Sequence, residues 1–571
     1  MNNKILLEDC IEEFKKSNQI NLPNDDVFEL FSLSQISKRY NLSYDDIENS
    51  IVDGSKDGGI DFFLILADDT IVDDGDQLDD LQLSNSNVVR IFVGQSKNID
   101  SFKEVILDKI YISIASIFDL EVEDDKLHSS FNENLTEKIL LFRKVWRKAI
   151  TKGAKIQIEY FYSCKSNEKH ESETFLTKCN LIKSSTSEKV QNCEVFYNSY
   201  SAKELLDLYR KRPDAELELK FKEIPVPVNY SNNSIGYIGV VKVPDYFSFI
   251  VSEDKTIRET IFEENIRHFQ GDVDVNRTIK DSLQNDLERD FWWLNNGITI
   301  ICSKVGQYGK SLVLSNVQIV NGLQTSFTIA KFYSPIENDD RSLLIKIIVS
   351  TDKKTIDKII AATNRQTPVN PVLLRATDDV QRKLEMFFEQ KGYFYDRRKN
   401  YYKNQGKPSS KIFGIQSTAQ IIHSMMNYKP SEARAKPTTL IKTQESYSKI
   451  FKENVDFNVY LEYCLISKKV LEYIKAIEDK DNRSIAKAFS YHIFRVIVSL
   501  AVKKSHPIPS DIVQNISTET INKILIGEAV NWVMNEIESF KQSSKTQNLT
   551  SISKSGLFDE HLSNGLKKKY A

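Results

Sequence analysis

Ile60-Asp61-Phe62-Phe63-Leu64-Ile65-Leu66 is an apolar run entered by one carboxylate. About one hairpin later, Val88-Val89-Arg90-Ile91-Phe92-Val93-Gly94-Gln95-Ser96-Lys97 is a second such run and ends in Gln-x-Lys. Short continuous apolar runs bounded by glycine-rich and acidic turns read as buried strands. Side chains alternate across a strand, so Gln95 and Lys97 share a face while Ser96 points away. Pairing the two strands would gather an acid, an amide oxygen and an ammonium. A metal-assisted phosphodiester hydrolase requires such a set, because hard cations take oxygen ligands and a lysine can hold the attacking water or a phosphate oxygen. A plainer reading stays open, in which Asp61 caps the turn Asp57-Gly58-Gly59-Ile60 and Lys97 is an exposed strand-end charge.

The chain has 571 residues, more than one ordinary core, so two or three domains are expected. Lys plus Arg (77) nearly balance Asp plus Glu (80), for a net charge of -3, so any nucleic-acid surface must be local. Cys10, Cys164, Cys179, Cys193, Cys302 and Cys464 form no CxxC pair, and the seven His show no ligand spacing. This argues against structural zinc and a disulfide framework, and for a reduced, cytoplasmic protein. No apolar run reaches membrane-spanning length, and the first residues turn acidic too soon for a signal peptide.

Outward from the two strands, Pro23-Asn24-Asp25-Asp26 offers a helix start, and Val27, Phe28, Leu30, Phe31, Leu33, Ile36 and Tyr40 recur at helical spacing, with Glu29 among them. The acidic stretch from Asp68 to Asp80 reads as a solvated hairpin loop. After Lys97 the pattern predicts helices at about 102–119 and 135–151, a strand at Lys155–Tyr162, a helix, a strand at Glu194–Tyr197 and a helix at about 202–211. That alternation is an α/β sheet with crossover helices. Residues from about 165 to 190, rich in Ser, Lys, Glu and Thr, are the expected flexible insertion. A proline in Lys211-Arg212-Pro213-Asp214 marks a boundary.

The segment Phe28-Glu29-Leu30-Phe31, with Val52-Asp53-Gly54, Asp57-Gly58-Gly59-Ile60-Asp61 and Gly94-Gln95-Ser96-Lys97, resembles the PD-(D/E)xK nuclease domain fused to proteins of the abortive-infection phage-resistance (AIPR) family. Gln95 departs from the usual acid and is similar to the Gln-x-Lys variant of Mrr-type restriction enzymes. The resemblance implies a restriction-endonuclease-like domain over 1–213 with Mg2+ or Mn2+ as cofactor. In it Asp61, the Gln95 amide oxygen and Glu29 would be the metal ligands, and Lys97 the cation at the reacting phosphate. It also implies DNA as substrate ahead of RNA, a homodimer by default, and partner proteins from a defence operon.

In the second half, Asn265-Ile266-Arg267-His268-Phe269-Gln270-Gly271, Phe291-Trp292-Trp293-Leu294-Asn295-Asn296-Gly297, Val317-Gln318-Ile319-Val320-Asn321-Gly322-Leu323-Gln324-Thr325-Ser326 and Ala361-Ala362-Thr363-Asn364-Arg365-Gln366-Thr367-Pro368 resemble the AIPR domain. The expected organisation is an α/β core over 214–410, a helical part over 411–541 and a mobile tail over 542–571. Trp292 and Trp293 read as core anchors. The strand, turn and helix around Asn321 and Gln324 could cradle a phosphate or simply cap the helix. Asn364, Arg365 and Gln366 could grip the same ligand, or Arg365 could form an internal salt bridge. Tyr393 to Lys403, with Arg397, Arg398, Lys399 and Lys403, is the best basic and aromatic stretch for nucleic acid; a surface turn with snorkelling lysines and buried tyrosines is its alternative. Two functions remain: a metal-dependent endonuclease joined to a nucleic-acid- or nucleotide-binding AIPR domain, or an inactive sensor working through partners.

Overall fold

The structure is a computed structural model. It describes residues 3–40, 42–67, 70–81, 83–85, 87–170, 172–210, 216–229, 235–252, 256–262, 274–284, 291–364, 375, 378–397, 400–452, 454–516, 520–544 and 546–570. The first apolar run becomes β1 (Phe62–Ala67), buried along its whole length. Phe63 and Ile65 face one core with the crossover helices, while Phe62, Leu64 and Leu66 face another with Leu33, Leu42 and Ile47. A strand covered on both faces has no polar alternation, which is why its sequence is continuously apolar. Burying each such side chain stabilises the fold by about 1.5–3 kcal/mol.

Around β1 stand β2 (Thr70–Ile71), β3 (Val88–Lys97), β4 (Lys155–Cys164) and β5 (Cys193–Tyr200), in the order β2-β1-β3-β4-β5. The β1 pairings with β2 and β3 are antiparallel, while β3–β4 and β4–β5 are parallel. Among the helices before β4 are α1 (Asn3–Ser17), α2 (Asn24–Ile36), α3 (Tyr44–Ser50), α4 (Gly75–Asp80), α5 (Glu104–Ile117), α6 (Asp124–Ser130) and α7 (Glu133–Lys152). Then come α8 (Glu173–Lys189) and α9 (Ala202–Arg210). Two expectations change. The 165–190 region is no loose insertion, because Phe175, Cys179 and Ile182 bury one side of α8 against the sheet. The acidic hairpin loop carries β2 and the short α4, whose start is capped by Asp74, with Asp73 tied to Lys138 at 2.6 Å.

The second half is also mixed α/β, then helical. Strands β6 (Glu216–Lys220), β7 (Val226–Asn229) and β8 (Ile235–Lys242) lead to α10 (Val243–Ile250) and α11 (Asp274–Gln284). They are followed by β9 (Ile298–Cys302), β10 (Lys304–Tyr308), β11 (Ser311–Ser315), β12 (Gln318–Asn321), α12 (Leu323–Phe332), β13 (Ser342–Val349) and α13 (Lys353–Asn364). They form sheets ordered β12-β9-β13-β8-β7 and β10-β11-β6. Beyond them, β14 (Phe394–Asp396) pairs with β15 (Ile412–Gly414), and one core runs from Val380 through Tyr395 and Phe413 to Leu566. The helical unit therefore begins before 411: the expected boundary would cut the β14–β15 pair. The other boundary, at 213, lies outside the described residues.

The tail expected to be mobile is folded. Helices Leu549–Ser553 and Gly556–Lys569 follow the helix Lys523–Ser543, and Phe558, Leu562 and Leu566, spaced every fourth residue, enter the common core. Within the helical part, the helices Lys480–Ala488 and Ser490–Val502 meet at Phe489. Trp292 and Trp293 are 38 % and 66 % exposed, and the residue anchoring that turn is Phe291. All six cysteines are free. Among the described residues no single helix is long and apolar enough to cross a membrane.

Candidate functional site

The loop before β1 turns back on itself. Val52 N–H donates to the Asp61 carbonyl at 2.8 Å, and Asp61 N–H donates to the Gly94 carbonyl at 2.9 Å, which locks Asp61 beside the end of β3. Gly58 and Gly59 make the turn possible with φ of 62° and 81°, in the left-handed region, where a side chain would also collide with Ser113 and Lys109. Asn132 holds the loop from outside by donating to the Val52 carbonyl at 2.9 Å.

Asp61 is the hub. Its carboxylate accepts from Ser96 N–H at 3.1 Å, from Gln95 Nε2 at 3.3 Å and from Lys97 Nζ at 3.2 Å. The strand alternation read from sequence holds: Gln95 and Lys97 both reach Asp61, while the Ser96 hydroxyl turns away to Ser163 at 2.6 Å. Glu29, on α2, is buried behind them. Asp61, Gln95 and Glu29 are 2 %, 3 % and 7 % exposed. Oε1 of Glu29 and Oε1 of Gln95 have no hydrogen-bond partner. Buried polar atoms in that condition are few in native proteins and each wants a reason. The structure thus brings Asp61, Gln95 and Lys97 together as expected.

Two residues not singled out join them. One carboxylate oxygen each of Asp53, Asp57 and Asp61 lie within 4.8 Å of one another. Their signal in sequence was the recurrence of an acid every fourth residue in the glycine-bearing loop, but only its return on itself makes that spacing a cluster. Burial pushes the Asp61 carboxyl up to about 6 against the pull of Lys97. Burial, followed by the charges of Asp61 and Asp53, raises Glu29 well above the carboxylate range. For Lys97 burial acts the other way, but Asp61 and Asp53 outweigh it and hold the ammonium charged. The donor set is all oxygen, two of its atoms are orphaned, and the site holds an excess of acid. Those properties fit a hard divalent cation of the Mg2+ or Mn2+ kind, and not a soft metal.

The second set of candidates fares differently. Asn321 accepts from Gly322 N–H at 2.9 Å, and Gly322, with φ of 93°, begins α12. Ser326 is fully buried, its hydroxyl 2.7 Å from that of Tyr246. Here Asn321 and Ser326 hold the turn together; Gln324 sits half-buried on the first turn of α12. Asn364 closes α13, but its side chain, Arg365, Gln366, Arg398 and Lys399 lie outside the described residues. Arg397 is not a surface cation. It is 6 % exposed and ion-paired with Glu385 at 2.7 Å and with Asp357 at 3.5 Å. Lys403 reaches across to the Leu42 carbonyl and lies over the Tyr44 ring at 5.3 Å. The basic and aromatic stretch is therefore largely interior, because β14 and Tyr402 are core elements.

A family model described as AIPR protein matches residues 262–548. That span is half of the chain, and the chain belongs to the AIPR family, whose name ties it to abortive infection and phage defence. The match starts after the expected 214 and runs past the expected 541, to the end of the helix Lys523–Ser543 and just beyond. Residues 1–261, which hold Asp61 and its neighbours, are outside it. Searches of curated proteins and of solved structures each return no match.

Proposed function

We propose that this AIPR protein is a phage-defence effector whose N-terminal domain hydrolyses phosphodiester bonds, in DNA ahead of RNA, with Mg2+ or Mn2+. The observation that carries this reading is the pair of orphaned oxygens, Glu29 Oε1 and Gln95 Oε1, buried beside the Asp61–Lys97 ion pair. Asp61, Glu29 and Gln95 would hold the cation. Such an ion, when bound, supplies charge that polarises the phosphate and acidifies a water. Lys97 keeps its proton at Nζ and, with its side chain 34 % exposed, presents that charge from a walled site to a phosphate oxygen. Further support is the sheet itself: an antiparallel β1–β3 pair followed by parallel β4 and β5 is the frame expected of a restriction-endonuclease-like core, with all four residues on α2, β3 and the entry to β1.

The AIPR domain would then bind or sense a nucleotide or nucleic acid through Asn321, Gln324, Asn364, Arg365 and Gln366. A second reading, a non-catalytic sensor, is favoured by Gln95 itself, since an amide adds no charge to offset a cation. Purified protein incubated with plasmid DNA or RNA in Mg2+, Mn2+ or chelator separates them. Metal-dependent cleavage lost in Asp61→Ala supports the hydrolase; no cleavage of either polymer under any metal sinks it.

A further inference from the structure

Among Asp53, Asp57 and Asp61, the three carboxylates are not balanced alike. Asp61 has Lys97 from its own sheet, and Asp57 accepts the Gly59 N–H at 2.7 Å. Asp53 has Lys480, at 3.4 Å, on the helix Lys480–Ala488 of the AIPR domain. The same segment meets the N-terminal domain repeatedly. Lys475 pairs with Glu48 at 2.8 Å, Arg483 faces Asp26 at 3.9 Å, and Lys487 donates to the Ile51 carbonyl at 2.7 Å. Four cations of one domain thus contact the other, at Glu48, Asp53, Asp26 and the Ile51 carbonyl, and of these acids Asp53 belongs to the cluster. Lys480 is 47 % exposed in its pair, more than Lys475 or Arg483 in theirs, and a pair with one such solvated partner is weak.

We propose that Asp53 is a ligand of the same divalent-cation site as Asp61, and that Lys480 is a tethered counter-ion competing for it, so that the AIPR domain governs how well that site takes a cation. The acidic cluster does not stand alone here: the unpartnered, buried Glu29 Oε1 and Gln95 Oε1 mark a ligand position independently of it. A dication shared among fixed carboxylates outcompetes one flexible ammonium, yet the ammonium lowers the affinity the dication sees. The coupling must be reciprocal: whatever draws the helix away tightens cation binding, and a bound cation loosens the helix. This inference rests on reading the N-terminal cluster as a cation site, not on cleavage.

The test is Mn2+ binding to the full chain, followed by the loss of the free-ion electron paramagnetic resonance signal. Lys480→Ala is expected to tighten binding about fivefold or more, the lower range of an ordinary coupling. Asp53→Asn, nearly isosteric, is expected to weaken it. In the Asp53→Asn background, Lys480→Ala should gain much less than in wild type, because the Asp53–Lys480 pair carries most of the coupling. Hydrogen exchange over residues 480–488 should rise when Mn2+ is added to wild type. Unchanged affinity in Lys480→Ala, or a gain of undiminished size in the double variant, overturns the proposal; half-exposed Lys480 makes misfolding a poor excuse. The hydrolase reading fails separately. Expected Mn2+ behaviour with no cleavage of DNA or RNA keeps this inference and ends that one, whereas cleavage with an indifferent Asp53→Asn does the reverse.

Discussion

The N-terminal cluster of Glu29, Asp61, Gln95 and Lys97 and the C-terminal cluster of Asp357, Glu385, Arg397 and Tyr402 are both charged groups taken largely out of water. In the second, Glu385 uses both oxygens, one on Arg397 at 2.7 Å and one on the Tyr402 hydroxyl at 3.0 Å. In the first, Glu29 and Gln95 each keep an oxygen with nothing to accept from. Burial exacts a similar desolvation in both, so the contrast lies in what offsets it: internal partners in one, and in the other a place for something from outside. Charge and burial alone do not separate a structural network from a site; satisfaction does.

The comparison breaks most visibly at Asp61. Asp61→Ala and Lys97→Ala should each lower cleavage about a thousandfold, on the order of 4 kcal/mol in the barrier, with folding retained. Loss of phage protection in both variants is the cellular counterpart. Cleavage persisting in either variant would put the chemistry elsewhere. Next in size is Arg397→Met, which takes the guanidinium from buried Glu385 and leaves Asp357 with the longer contact to Arg382 at 3.8 Å; it should cost about 3 kcal/mol of stability. Denaturant unfolding measures it. DNA and RNA binding by the folded fraction should be unchanged; a selective loss of binding at full stability would restore Arg397 as a contact residue.

What sequence could tell follows from which physical rule set each feature. Strand alternation placed Gln95 and Lys97 on one side, and that rule is local. Asp53 and Asp57 escaped because their approach to Asp61 depends on one backbone pairing, Val52 to Asp61, which no periodicity announces. Trp292 and Trp293 looked like core because they are large and apolar, but consecutive residues in a turn cannot all face inward, and Phe291 took the interior. Arg397 looked like a phosphate contact in a basic stretch; its carboxylate partners lie 12 and 40 residues away, beyond any linear reading. The C-terminal tail looked polar, although its apolar residues recur every fourth position.

A smaller effect sharpens the satisfied side. Burial pushes the Asp396 carboxyl up to about 7, although it accepts the Tyr402 N–H. Its folded value lies above the unfolded one, so the folded state favours the proton. The associated stability is complete below about pH 4 and is lost as pH rises through about 7. Asp396→Asn is neutral throughout and can still accept from Tyr402. Thermal unfolding across pH 5 to 8 should therefore be flatter in the variant, which should gain on the order of 2 kcal/mol over wild type at the alkaline end. Parallel slopes in the two proteins would place the titration elsewhere.

Smallest, and most direct on the unsatisfied side, is the exchange at Gln95. Its amide nitrogen meets Asp61 and its oxygen meets nothing, so an incoming cation would find one neutral oxygen where a carboxylate would offer charge. Gln95→Glu adds that charge without changing length. It should preserve cleavage and lower the metal concentration for half-activity several-fold, about 1 kcal/mol, whereas Gln95→Ala should raise it by a similar factor. The added carboxylate also sits against Asp61 and Glu29, which raises the cost of leaving the site without a cation. Gln95→Glu should accordingly lower the metal-free melting temperature and recover it in Mg2+. The titration and the melting curve then answer different questions. A shift in metal dependence with no change in melting makes Gln95 a ligand at little electrostatic cost. Identical behaviour of Glu, Ala and wild type in both measurements would make Gln95 a strand residue holding Asp61, and leave the cation to the carboxylates.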